Sequence, residues 1–164
     1  MAESPVRRGD VVVDLGAGRG ALTLPLARTG ARVLAVELHA GRAAGLRTVV
    51  AGSRVAVVEV AIDAFRWPGH PFRVVANPPY DGVNALVRRL LREPHLLSAD
   101  LVVAEGAARG LLRRAGGPAA LEMGPRVPRS AFAHPPPGDA CVLRIRRSGP
   151  APRPGSRRRG RSRR

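Results

Sequence analysis

The stretch Val11-Val12-Val13-Asp14-Leu15-Gly16-Ala17-Gly18-Arg19-Gly20 decides the fold. Its first half is an apolar strand by pattern, broken only by an acid, and it runs into glycines at alternate positions. An apolar segment of helical character, residues 21–27, follows at once, with Gly30 as its stop. A buried strand that breaks into glycines and then a helix is how an open α/β sheet begins a nucleotide site. Glycine lets the backbone approach a ligand closely, and the free amides at the helix start favour negative charge.

Outward from this stretch the same rhythm repeats. Residues 32–36 read as a second strand ending at Glu37, residues 40–50 as a helix, and residues 55–60 as a third strand with Asp63 just beyond it. Residues 72–76 form a fourth strand that runs straight into Asn77-Pro78-Pro79-Tyr80. From Val83 to Arg92 the period is helical: Val83, Leu86, Val87, Leu90 and Leu91 share one face, with Arg88, Arg89 and Arg92 on the other. A fifth strand is expected at residues 101–104 and a weak helix within 106–120. A strand pair, roughly 123–132 and 141–146, closes the domain. This order predicts a Rossmann-like α/β fold, a mostly parallel sheet with an antiparallel edge.

Composition adds a partner class. The formal charge of +16 points to a polyanion, most plausibly nucleic acid, and says nothing about fold. Every basic residue is Arg, a bias shared with the abundant Gly, Pro and Ala and typical of a GC-rich genome. From Ser148 the chain turns to Pro, Gly and seven arginines, Arg157, Arg158 and Arg159 among them, which leaves +9 on residues 1–147. Residues 148–164 therefore read as a disordered Arg-rich tail after a domain of residues 1–147. Cys141 stands alone, so no internal disulfide or cysteine metal cluster is expected. No metal site is expected from four scattered histidines. No apolar run is long enough to span a bilayer and no signal peptide is evident, so a cytoplasmic monomer without membrane contact is the expectation.

Three ligands compete for the glycine turn. A Walker loop needs a Lys after its glycines, and the chain has none. A dinucleotide fingerprint needs its third glycine at the position of Ala21, one residue later than Gly20. The pattern D-x-G-x-G-x-G, with Asp14, Gly16, Gly18 and Gly20, instead resembles motif I of the S-adenosylmethionine-dependent methyltransferases. Glu37 stands where an acid holds ribose hydroxyls, in an adenosyl cofactor or in NAD. Asp63 is placed to accept a hydrogen bond from an adenine amino group.

Asn77-Pro78-Pro79-Tyr80 resembles motif IV of amino methyltransferases acting on adenine or glutamine. An exocyclic amine has its lone pair delocalised into the ring and is a poor nucleophile. If the Asn77 side-chain oxygen and the Pro78 carbonyl accept its two hydrogens, the lone pair localises for in-line attack on a methyl group, by placement and oriented dipoles alone. Tyr80 offers a flat surface for an extruded base. Together with residues 72–80, 86–92 and 99–105, the segment SAFAHPPPGDACVLRIRR (130–147) resembles the ribosomal-RNA adenine N6-methyltransferases, in particular its Phe132, Pro135, Pro137, Asp139, Ala140, Val142 and Leu143. That family holds the erythromycin-resistance methylases and the small-subunit adenine dimethylases.

The resemblance implies S-adenosylmethionine as cofactor and an adenine of 23S rRNA as substrate. It further implies macrolide, lincosamide and streptogramin B resistance, in a short form lacking the usual N-terminal element and C-terminal helical domain. Small-subunit rRNA, tRNA or DNA adenine, or an inactive RNA-binding paralogue, remain alternatives. The RNA-binding candidates are Arg88, Arg89, Arg92, Arg144, Arg146, Arg147 and the tail arginines, whose phosphate contacts would make binding salt-dependent.

Overall fold

The computed structural model describes residues 6–79, 81–114, 119–132 and 137–147. Its elements follow in the order β1 (Val11–Leu15), α1 (Thr23–Arg28), β2 (Arg32–Glu37), α2 (Ala40–Val49), β3 (Val55–Glu59), β4 (Phe72–Ala76) and α3 (Val83–Arg92). Then come β5 (Leu96–Ala104), α4 (Glu105–Leu112), β6 (Ala119–Val127), a 3₁₀ turn (Arg129–Ala131) and β7 (Ala140–Arg147). The seven strands form one sheet in the order β3-β2-β1-β4-β5-β7-β6. The first five are parallel, while β7 runs antiparallel to β5 and β6 antiparallel to β7.

The parallel strands are apolar on both faces because helices cover both. Val12 and Val33 pack with Leu26 of α1, and Ala35 with Leu46 of α2, on one side. Val13, Leu15, Val74 and Ala76 point the other way, where they join Leu86, Val87 and Leu90 of α3 and Leu111 of α4. The chain builds β1 to β3 in one direction and then returns to place β4 on the other flank of β1. The gap between the ends of β1 and β4 is the switch point at which such sheets hold ligands.

Two elements differ from the sequence expectation. The fifth strand starts at Leu96, not at residue 101, because its interrupting polar residues find partners on neighbouring strands. Ser98 accepts from Arg73 Nη1 of β4 at 2.9 Å, and Asp100 accepts from Arg146 Nη2 of β7 at 2.8 Å. The sixth strand ends at Val127, its register shifts between Met123 and Arg126, and the chain then turns through 3₁₀ geometry. Pro125 lies within that irregularity, where a missing amide costs no ladder bond.

Candidate active-site cleft

The glycine turn is clamped to the end of β2. The amides of Gly16 and Ala17 both donate to the Val36 carbonyl at 2.9 Å, and the Gly18 amide donates to Glu37 Oε2 at 2.9 Å. Gly16, Gly18 and Gly20 have φ of 76°, 57° and 91°, a region costly for any residue with a Cβ. Across the turn the Thr23 hydroxyl donates to Asp14 Oδ2 at 2.6 Å, joining its two ends. A Cβ on Gly16 would sit 3.7 Å from both the Asn77 carbonyl oxygen and Pro79 Cδ, so the ends of β1 and β4 face each other at close range.

Between them opens a cleft of about 800 Å³, a volume suited to a nucleoside-sized ligand. Gly16, Gly18, Glu37, Asp63, Asn77 and Pro78 all line it, contributed by the ends of three strands and the segment after β3. Glu37 is 4% exposed. Burial alone would push its carboxyl up, but the amides of His39 and Gly18 and the Arg42 guanidinium outweigh this and hold it below the usual carboxylate range. Arg42 reaches Glu37 Oε1 through Nε at 3.1 Å and Nη2 at 2.9 Å.

The remaining assigned residues stand elsewhere. Asp14 is 1% exposed and lies outside the cleft lining. Burial, with the nearby Glu37 charge, pushes its carboxyl up to about 6 against the pull of Thr23, and Oδ1 accepts no hydrogen bond. Gly20 also lies outside the lining; its missing side chain makes room for Leu46, whose Cδ1 would be 2.8 Å from an added Cβ. Tyr80, residues 133–136 with Pro135, and residues 148–164 with Arg157, Arg158 and Arg159 lie outside the described residues.

Among the assigned arginines, Arg88 and Arg92 are exposed. Arg89, Arg144, Arg146 and Arg147 turn their guanidinium groups inward, to the carbonyls of Ile62 and Phe65, to Asp100, to Asp100 and the Ala99 carbonyl, and to the Leu91 carbonyl respectively. Each of the four is half-buried and has at least one partner within the fold.

Several lining residues carry no clear signal in the sequence, and three of them bear on the site's chemistry. Phe132 belongs to the family-like segment but was assigned no role, and it forms an aromatic wall of the cleft. Leu38 follows Glu37 and stays 67% exposed, offering apolar surface at the cleft edge. Arg42 sits in the first turn of α2, and only its contact with Glu37 marks it.

Sheet order and cleft together define a Rossmann-like S-adenosylmethionine-dependent methyltransferase fold. The ribosomal RNA adenine dimethylase family model matches residues 1–120, and the chain belongs to that family. It is 37% identical over 150 residues to an rRNA adenine N-6-methyltransferase of Corynebacterium diphtheriae, covering 84% of this chain and 58% of that protein. It is 40% identical over 113 residues to the ribosomal RNA small subunit methyltransferase A of Leifsonia xyli, covering 60% and 38%. The crystal structure of the 23S rRNA methyltransferase ErmE superposes with a TM-score of 0.79 at 28% identity, covering 87% of this chain and 63% of that one. The chain thus spans between about two fifths and three fifths of these relatives' lengths.

The family's cofactor is S-adenosylmethionine. The residues present fit it: an ionised carboxylate at the end of β2, a glycine turn open to close approach, and an orphaned carboxylate oxygen on Asp14 below that turn.

Proposed function

We propose that this protein transfers a methyl group to the N6 amino group of an adenine in 23S rRNA, and that the product confers macrolide, lincosamide and streptogramin B resistance. The observation that carries the reading is the placement of Asn77-Pro78 at the end of β4, beside the glycine turn and in one cleft with Glu37 and Asp63. S-adenosylmethionine, when bound, supplies an electrophilic methyl group on a sulfonium. Glu37 holds the ribose hydroxyls, Asp63 accepts from the adenine amine of the cofactor, and Leu38 covers an apolar edge. The Asn77 amide oxygen and Pro78 carbonyl accept the two hydrogens of the target amine and localise its lone pair. Phe132 and Tyr80 supply aromatic faces for a base taken out of its stack. The buried Asp14 lies behind the glycine turn and ties its two ends together through Thr23.

The likeness to ErmE and to the Corynebacterium relative favours the large-subunit substrate. A small-subunit rRNA substrate is the second reading, favoured by the Leifsonia relative. Labelled methyl from S-adenosylmethionine, offered with naked 23S and 16S rRNA, separates them. Label in 23S rRNA at adenine N6 is expected; label in 16S rRNA alone moves the substrate to the small subunit. Arg88, Arg92 and the tail are proposed as phosphate contacts, so removing residues 148–164 should flatten the salt dependence of RNA binding.

A further inference from the structure

The segment joining β3 to β4 carries Ile62 and Asp63 into the cleft, yet it is mostly turn and irregular backbone. It is fixed from outside, by α3. Arg89 Nη1 donates to the Ile62 carbonyl at 2.6 Å, and Nη2 donates to the Phe65 carbonyl. The same guanidinium lies 4.6 Å from the centroid of the Trp67 ring. Trp67 stacks on the buried Phe72 of β4, with centroids 5.5 Å apart and planes at 15°, and receives Phe65 edge-on at 5.5 Å and 85°. Among the described residues its buried Nε1 has no hydrogen-bond partner, so packing and the cation hold the ring there. Arg89 itself lines the cleft, as do Val83, Ala85 and Leu86 at the start of its helix. One side chain therefore connects the wall bearing Asp63 to the helix that follows Asn77-Pro78-Pro79.

We infer that Arg89 is a positioning residue for the adenine end of the cofactor subsite. By bridging two carbonyls on either side of Asp63 it fixes where that carboxylate can meet an exocyclic amine. The inference rests on the S-adenosylmethionine reading above. A planar fork that donates to two acceptors while stacking on an indole is a task for Arg, and the point charge of Lys meets only part of it. Two of its donors are turned inward, to the Ile62 and Phe65 carbonyls.

The test is calorimetric titration of the full chain with S-adenosylhomocysteine and with S-inosylhomocysteine, which lacks the amine that Asp63 accepts from. The unaltered protein should prefer the adenosyl ligand by about tenfold, the scale of one hydrogen bond to a charged group. Arg89→Met keeps an apolar stem against Trp67 but loses both donors, and its preference should fall to within about twofold; Arg89→Lys should recover part of it. Asp63→Ala made in the Arg89→Met background should change nothing further, because the two act as one unit. Arg89→Met that melts earlier but keeps the full preference makes Arg89 a brace only and overturns the inference. If Arg89→Met does not fold, Arg89→Lys and Arg89→Gln carry the same comparison. An unaltered chain that binds neither ligand overturns the cofactor reading as well, whereas equal binding of both leaves the cofactor reading standing and overturns the Asp63 and Arg89 assignments.

Discussion

The two edges of the sheet treat polar residues in opposite ways. Where the parallel strands begin, side chains satisfy one another: Asp10 accepts from Arg73 Nε at 2.9 Å, Arg73 donates on to Ser98, and Arg147 donates to the Leu91 carbonyl. Further along β5, Asp100 collects Arg144 and Arg146 from β7. Where the strands end, Glu37 is paired as fully, but other polar groups are left over. Asp63 and Asn77 are exposed in a cleft, and Asp14 keeps an oxygen that nothing reaches. An arginine count alone cannot separate these uses. Polar groups that pair across strands consolidate the sheet, while those left unpaired at the switch point are available to a ligand.

Asn77→Ala tests the cleft edge with the largest effect. Losing the oxygen proposed to accept from the target amine should lower methyl transfer about a hundredfold or more, with the melting temperature nearly unchanged. Loss of stability in step with activity would move Asn77 to the structural side of the comparison.

Asp14 should show itself through pH. Its folded value of about 6 lies above the 3.8 of a free side chain, so the folded state holds the proton more tightly. Its contribution to stability is full below about pH 4 and is lost as pH rises through 6, about 3 kcal/mol in all. Asp14→Asn should therefore unfold at higher urea than the parent at pH 7 and converge with it near pH 4. Identical pH profiles for the two proteins would mean that the carboxyl titrates normally.

Asp100→Ala probes the opposite edge. Stripping the shared acceptor from Arg144 and Arg146 should cost about 2 kcal/mol in chemical denaturation and leave cofactor affinity unaltered. Weakened cofactor binding at unchanged stability would break the division between edges.

The smallest expected effect distinguishes two glycines of one turn. Gly20→Ala places a Cβ against Leu46 at a left-handed φ and should cost about 1–2 kcal/mol in stability. Gly18→Ala meets only the Gly16 carbonyl oxygen at 3.9 Å, so its stability cost should be near 1 kcal/mol, with cofactor affinity falling instead.

Much of this was legible in the chain. β1, β4 and α3 have the bounds that their apolar periods predict, since local burial sets those periods. The first half of β5 was not, because Ser98 and Asp100 look exposed until Arg73 and Arg146 arrive from strands 25 and 46 residues away. The partners of the β7 arginines were illegible for the same reason: a guanidinium aimed at a carboxylate and one aimed at solvent have the same sequence. The motifs, by contrast, carried Glu37, Asp63 and Asn77 to one cleft without any knowledge of contacts, because each sits at the end of a strand and parallel strands end on one edge.

The amino-acid sequence alone encoded the fold, through strand-and-helix alternation, and the family resemblance, through Asp14 to Gly20 and Asn77 to Tyr80. Both are encoded in short segments whose backbone geometry is local. Folding was needed to show which charges face the cleft and which hold the sheet, that Gly20 packs against Leu46, and that Arg89 grips the segment bearing Asp63. Those roles depend on partners far away in the chain, and a partner's position is a property of the folded sheet alone.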